Sequence, residues 1–355
     1  MISSLHILGA KKSGGAEKFF IRLLHALSRR GHPVQVILPP NSETEPLLGE
    51  SIKCHYVKMR SVYDFPSRWK ISKLIRQIKP DIVQTWMGRA TRLTRLPRGK
   101  KPVHVARLGG FYNLKGYRHA HAWIGNTRTI KGYLLENGLP QDKVFHISNF
   151  AGIAPVVPSS DISALKKQYN IPDNALCIVA MGRLHPNKGF DTLIEAFKKL
   201  PGEINGRPLH LCIIGDGPLA RELHLMSSGT QQASHIHWPG WQANPHIWYQ
   251  LADLFICPSK HEPLGNVILE AWSHDKPVIS TATHGGQELI ETNINGLLTG
   301  IDNNDEMQQA ILKIFTQDKS ITQAMINNAS QTLLERFGEN VILDQYIKCY
   351  EELIS

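Results

Sequence analysis

A chain of 355 residues, 42% hydrophobic and 20% charged, has the make-up of a folded protein; wholesale disorder is excluded, and the length suits two domains. No apolar run approaches the roughly 18–20 residues that span a bilayer, and the apolar start precedes Lys11 and Lys12, the reverse of a signal peptide. The net charge of +10 hides a split: residues 1–150 hold 26 Lys+Arg against 8 Asp+Glu, residues 151–355 hold 14 against 22, so the first half is expected to meet something anionic.

In chain order, residues 5–8 read as a strand, followed by a helix with Phe19, Phe20, Leu23, Leu24 and Leu27 on one face. A strand at 34–38 and a helix marked by Ile71, Leu74, Ile75 and Ile78 come next, then strands at 82–84, 103–105, 123–124 and 144–147. Residues 151–160, with two prolines and two serines, break the pattern as a linker. A second series follows, with strands at 176–181, 209–214, 236–238, 254–257 and 278–280 and helices between them, before helical patterns close the chain from about 305. This alternation predicts an α/β chain of two Rossmann-like, doubly wound units facing across a cleft, 1–155 and 156–338, followed by a last helix at 339–355. The five scattered cysteines form no C-x-x-C pair, which argues against a disulfide framework or zinc cluster and for a reducing cytoplasm.

The richest motif, Ser259-Lys-His-Glu-Pro-Leu-Gly-Asn-Val-Ile-Leu-Glu270, follows a strand and opens a helix. Gly265, Asn266 and Val267 would form the helix N-terminus, where free N–H groups and the dipole attract phosphate oxygens. Glu270, a turn further on, suits two ribose hydroxyls, and Glu262, in the loop, suits the hydroxyls of a bound sugar. The bland alternative is an ordinary acid before a helix and a solvated glutamate on it. A second strand-end loop, Met181-Gly-Arg-Leu-His-Pro-Asn-Lys-Gly-Phe190, places Arg183 and Lys188 to flank a diphosphate, against the alternative of two solvated cations. Both loops sit at carboxyl ends of parallel strands, where such sheets bind ligands.

The block from Gly182 to Leu298, with Gly215-Asp-Gly-Pro218 and Gly285-Gly286 beside the two motifs above, resembles family 4 retaining glycosyltransferases of the GT-B fold. The loop Ser13-Gly14-Gly15-Ala16-Glu17 is similar to that family's amino-terminal glycine loop, and the stretches 84–89 and 107–128 look most like lipopolysaccharide-core members. The resemblance implies that Arg183 and Lys188 bind the donor diphosphate and serve catalysis with Glu262, which contacts the donor sugar. Glu270 would hold the ribose, Gly15 would lie near the phosphates, Gly182 would belong to the donor-binding set, and the final helix, 339–355, would cross back to the first domain. It implies a UDP- or GDP-sugar as co-substrate, no metal or other cofactor, and an anionic glycan or glycolipid of the cell envelope as acceptor. Anomeric retention would come by a front-face displacement that needs no protein nucleophile. The workplace implied is the cytoplasm, or the cytoplasmic face of the inner membrane. The chain departs from the pattern where many members carry a histidine, reading Arg107-Leu108-Gly109, and near the linker, reading Asn149-Phe-Ala-Gly152.

Competing readings are an NAD-dependent oxidoreductase, a sugar-nucleotide epimerase or hydrolase, and a non-catalytic membrane- or RNA-docking protein. Gly215-Asp-Gly-Pro-Leu-Ala220 has a dinucleotide-like spacing, but the next strand ends His237-Trp238-Pro239-Gly240 without an acid for ribose, so a structural turn with Pro218 opening a helix is expected. Asp302 to Asp305 is read as a loop and helix cap rather than a metal site. Arg89, Arg92, Arg95, Arg98, Lys100 and Lys101, with Tyr63, Phe65, Arg68, Trp69, Lys70, Lys73 and Arg76, offer either an anionic-membrane contact or a solvated face. Nucleic acid is not expected, because no binding module accompanies the charge.

Overall fold

In the computed structural model, which describes all residues except Ser13, Lys100, Thr230 and Gln231, the apolar runs become strands because helices cover both their faces. The readings of Ser13 and Lys100 therefore fall outside the described residues. The chain divides into two units, Met1–Phe150 with Phe337–Ser355, and Ala151–Arg336. The divisions at 150/151 and 336/337 stand a few residues from the expected 155/156 and 338/339.

The first unit is a seven-stranded sheet of β1 (Ser4–Leu8), β2 (Val34–Leu38), β3 (Lys53–Tyr56), β4 (Ile82–Trp86), β5 (Val103–Leu108), β6 (Ala122–Gly125) and β7 (Val144–His146). The order is β3-β2-β1-β4-β5-β6-β7, every pairing parallel. Both β1 and β4 are buried at every position. Strand β3 has no counterpart in the expected set: Lys-Cys-His-Tyr is a half-exposed edge with no apolar run to announce it. Helices α1 (Gly15–Arg29), α2 (Phe65–Ile78), α3 (Met87–Leu93) and α4 (Arg128–Glu136) complete the layers. The three-residue spacing of arginines from Arg89 is not one solvated face. Arg89 and Arg92 lie on α3, where Arg89 donates to the carbonyls of Gly9 and Met59, and Arg98 donates to that of Arg118.

The second unit has β8 (Leu176–Met181), β9 (Glu203–Ile204), β10 (Arg207–Ile214), β11 (Ile236–Gly240), β12 (Leu254–Cys257), β13 (Val278–Thr281) and β14 (Leu297–Thr299). The parallel path is β11-β10-β8-β12-β13-β14, with the short β9 antiparallel to β10. Its helices are α5 (Ser159–Gln168), α6 (Phe190–Lys198), α7 (Ala220–Ser228), α8 (His246–Leu251), α9 (Asn266–Ser273), α10 (His284–Leu289), α11 (Asn304–Thr316) and α12 (Lys319–Phe337). The linker expected at 151–160 is irregular only to Pro158, because α5 starts at Ser159. Asn303 caps α11 by accepting from the N–H of Glu306 at 3.1 Å, while Asp302 pairs with Lys260.

The final helix, α13 (Glu339–Ile354), belongs to the first unit, where Ile342, Leu343, Tyr346 and Tyr350 share a core with Phe19, Trp86 and Phe150. Each sheet reverses its strand order once, between β1 and β4 in the first unit and between β8 and β12 in the second. The carboxyl edges at those two points are the natural ligand positions of the two sheets.

Candidate active site

In the second unit, the chain leaves β8 and is at once stitched to its neighbours. The N–H of Gly182 donates to Ile214 O at 2.9 Å, and that of Leu184 to Asp216 O at 3.0 Å. Pro186–Lys188 form one turn, closed by Gly189 at φ +62°. A Cβ at that residue would stand 2.0 Å from Pro258 O, so glycine is required both by the left-handed backbone and by the approach of the next loop. Lys260 and His261 then donate their N–H groups to Asn187 O at 2.8 and 3.1 Å. The loops after β8 and β12 are thus locked main chain to main chain across the switch point.

That lock delivers Lys188 to Glu262. The ammonium pairs with Oε2 of the carboxylate, and Ser259 Oγ donates to the same oxygen at 3.4 Å. Both side chains are largely buried. Burial works against the charge on Lys188, yet the Glu262 carboxylate outweighs it, so the lysine pKa lies above its ordinary value. Lys188 is therefore not the free cation its loop suggested. Gly182 leaves a lane for the lysine stem: a Cβ there would touch Lys188 Cδ at 3.6 Å. Arg183, the next residue, is exposed and has no hydrogen bond or ion pair among the described residues. A third cation, Lys260, bonds to Asp191 and Asp302 at 2.7 and 2.6 Å and acts as a clamp between loops.

Gly265, at φ +90°, precedes α9 without any side-chain cap, so the N–H groups of Asn266 and Val267 open the helix at its positive end. A Cβ on Gly265 would lie 3.6 Å from Glu262 Cγ, which fixes how near the carboxylate is to this helix start. One turn on, the Glu270 carboxylate accepts from Tyr249 O–H at 2.9 Å. Tyr249, buried on α8, is a site residue that no motif marked; an aromatic in a short helix reads as core. The structure thus gathers Gly182, Lys188, Glu262 and Gly265, with Asn266, Val267 and Glu270 along α9. Gly15, by contrast, opens α1 in the first unit.

The Gly215-x-Gly217 spacing is accounted for by loop packing. Cβ atoms there would meet Gly182 O at 1.8 Å and Leu184 O at 2.4 Å. Helix α7 starts at Ala220, so Pro218 precedes the helix rather than opening it. In the first unit a cavity of about 650 Å³ lies at the β1/β4 edge, lined by Gly9, Ala10, Lys11, Lys12, Glu17 and Met87, among others. Glu17 reaches back to the N–H of Gly14, a capping arrangement, and burial holds its pKa above the usual carboxylate value. Among the described residues no three His, Cys, Asp or Glu side chains are grouped to hold a metal ion, and no helix is long and apolar enough to cross a membrane.

Two doubly wound parallel units in series, with a cation and an uncapped helix start at one switch point, define the GT-B class of sugar-transfer enzymes. Comparison with known proteins agrees. Residues 13–151 match the model described as Glycosyltransferase Family 4, and residues 161–332 match Glycosyl transferases group 1. The chain is 31% identical to the lipopolysaccharide core biosynthesis glycosyltransferase LpsE of Rhizobium meliloti, over 95% of this chain and 96% of that one. It is 27% identical to LpsD of the same organism, over 96% of each. Among solved structures, Anabaena Alr3699/HepE in complex with UDP and glucose superposes with a TM-score of 0.84 at 22% identity, over 99% of this chain and 100% of that one. The protein belongs to the family 4 glycosyltransferases and is a GT-B enzyme.

Proposed function

We propose that this glycosyltransferase moves a hexose-type sugar from a UDP- or GDP-sugar to a lipopolysaccharide-core or other cell-envelope glycan, with retention at the anomeric carbon. The observation that carries the reading is the locked pair of loops that sets Lys188 and Glu262 beside the uncapped start of α9. A departing nucleoside diphosphate develops negative charge, and Lys188, Arg183 and the N–H groups of Asn266 and Val267 are the groups that meet it. Glu262, held by Lys188, takes hydroxyls of the donor sugar. Glu270, oriented by Tyr249, takes the ribose. The named activity of the R. meliloti relatives supports the acceptor class, and UDP in the Anabaena complex supports the donor class.

In this reading the charge is neutralised by side chains and main-chain dipoles, so transfer proceeds in excess chelator. The enzyme works in the cytoplasm and touches the inner membrane peripherally through its basic first unit. A thermal-shift screen across UDP-, GDP-, ADP- and CMP-sugars, followed by transfer to purified core oligosaccharide, tests the proposal, since a bound donor raises the melting temperature. Stabilisation by a UDP- or GDP-sugar with transfer to the oligosaccharide is expected. Consumption of donor without any acceptor product would point instead to an epimerase or hydrolase, and stabilisation by NAD alone would end the transferase reading.

A further inference from the structure

Arg107 stands at the carboxyl end of β5, in register with Trp86 at the end of β4 and so beside the switch point of the first unit. It is only 4% exposed. Its guanidinium lies 4.8 Å from the ring of Phe19 and 4.7 Å from that of Trp86. Nε donates to the Tyr346 hydroxyl at 3.0 Å, and Nη2 donates to Asn149 Oδ1. Every one of these partners is neutral, and no carboxylate pairs with Arg107 among the described residues. A guanidinium taken out of water without a counter-anion is costly, and ring faces with two neutral acceptors offset only part of that cost.

The third nitrogen, Nη1, has no hydrogen-bond partner among the described residues and lies close to Gly109. A Cβ on that glycine would sit 3.9 Å from Nη1 and 3.7 Å from Asn126 Nδ2, so the missing side chain leaves a space bounded by two N–H donors. Asn126 is itself 5% exposed, and its Oδ1 has no hydrogen-bond partner. A residue serving only to tie α13 to the sheet through Tyr346 would need neither this open nitrogen nor the vacant space.

We propose that Arg107, with Asn126 across the space above Gly109, recognises an anionic substituent, a carboxylate or a phosphate, on one of the two sugars the enzyme joins. The inference rests on the glycosyltransferase reading and adds to it a specificity-determining charge. The guanidinium is fixed by its bonds to Tyr346 and Asn149 and by the rings of Phe19 and Trp86, so the anion meets a pre-oriented donor and supplies the missing counter-charge.

The test uses matched pairs: UDP-glucuronic acid against UDP-glucose as donors, and core oligosaccharide with carboxylates and phosphates intact against the carboxyl-reduced, dephosphorylated form as acceptors. Steady-state kcat/KM and calorimetric Kd are measured for the wild type, Arg107→Met and Gly109→Ala. The wild type is expected to prefer the anionic member of one pair by tenfold or more, and the pair that shows it tells whether donor or acceptor carries the charge. Gly109→Ala meets nothing closer than 3.7 Å and leaves the bonds to Tyr346 and Asn149 in place, so it should fold, yet cut that preference at least fivefold through KM. Arg107→Met should abolish the preference; where it fails to fold, Gly109→Ala decides. No preference in either pair, or a Gly109→Ala protein that keeps the wild-type preference, overturns the proposal. A wild type that transfers no sugar refutes the transfer reading instead, while calorimetry on the same pairs still returns an anionic preference or none.

Discussion

Lys188 and Glu262 show how two loops that look independent become one device. Each sits in a strand-end turn, and the hydrogen bonds from Lys260 and His261 to Asn187 bring the turns together. Replacing Lys188 or Arg183 by alanine should lower kcat by roughly 10²–10³, the scale for losing one charge-stabilising donor. Near-normal turnover in both variants, in a donor-to-acceptor assay, would remove their assignment. Glu262→Gln makes a pH prediction. Burial alone lowers the Lys188 pKa, and the carboxylate is what lifts it above the ordinary lysine value. Without that carboxylate the ammonium should deprotonate at lower pH, so the alkaline limb of the kcat profile should move down. An unmoved limb would mean that Lys188 does not carry that charge in the reaction. The residue types at these positions were legible because phosphate and sugar hydroxyls demand cations, carboxylates and free N–H groups. Tyr249 was not legible, since only its bond to Glu270 distinguishes it from a core aromatic.

Strands β10 and β11, with the short turn that leads into β11, carry a stack of imidazoles. His210 lies 4.5 Å from His235 and 5.2 Å from His237, ring to ring, with Nδ1 of His210 2.8 Å from Nε2 of His237. Burial first, and the neighbouring imidazoles after it, pull the pKa of His210 down to about 4, and burial with His235 does the same to His237. The unfolded chain, with ordinary histidines, therefore binds more protons as pH falls from about 6.5 towards 4, and stability is lost across that window. In urea titrations, His237→Gln should remove on the order of 2 kcal/mol of the stability lost between pH 7 and 5. Identical pH slopes for variant and wild type would contradict it.

Helix α2 makes a different prediction. It buries Ser67, Ile71 and Ile75 and turns Phe65 and Trp69 outward at 70% and 63% exposure, beside Tyr63 at 79%. Arg68, Lys70, Lys73 and Arg76 ride on it without an Asp or Glu, and Lys73 Nζ lies 5.4 Å from the centre of the Trp69 ring. Aromatics among cations suit an anionic lipid surface, at about 1 kcal/mol per cation near it. Co-sedimentation with phosphatidylglycerol vesicles but not phosphatidylcholine is expected, weakened by salt and by a Phe65→Ser, Trp69→Ser double variant. Equal recovery from both vesicle types would leave the face merely solvated.

At the scale of the whole chain, α13 is remote in sequence from the unit it completes. Ile342, Leu343, Tyr346, Cys349 and Tyr350 are buried in the first unit, and Tyr350 donates to Gln84 Oε1 at 2.7 Å. At about 1.5–3 kcal/mol for each large apolar side chain, their removal rivals the 5–15 kcal/mol by which a domain is usually stable. The exposed ion pairs of Arg29 with Glu339 and Arg30 with Asp344 add little to that. Deleting 338–355 should therefore unfold the first unit and leave 151–336, which has a core of its own, to melt cooperatively. A truncated protein that melts like the full chain would show that α13 is dispensable.

By itself the sequence determined the β–α alternation, the central strands of both sheets, the linker and the chemical character of the site loops. All of these are written in local periodicity and in residue types within a dozen positions of one another. Only the tertiary structure decided that Lys188 is paired rather than free and that Arg107 is caged among neutral groups. The physical reason is distance along the chain: Lys188 meets Glu262 across 74 positions and Arg107 meets Tyr346 across 239, separations that local pattern does not encode. Edge strands such as β3 stayed hidden for the opposite reason, because a half-exposed strand carries too few apolar side chains to mark itself.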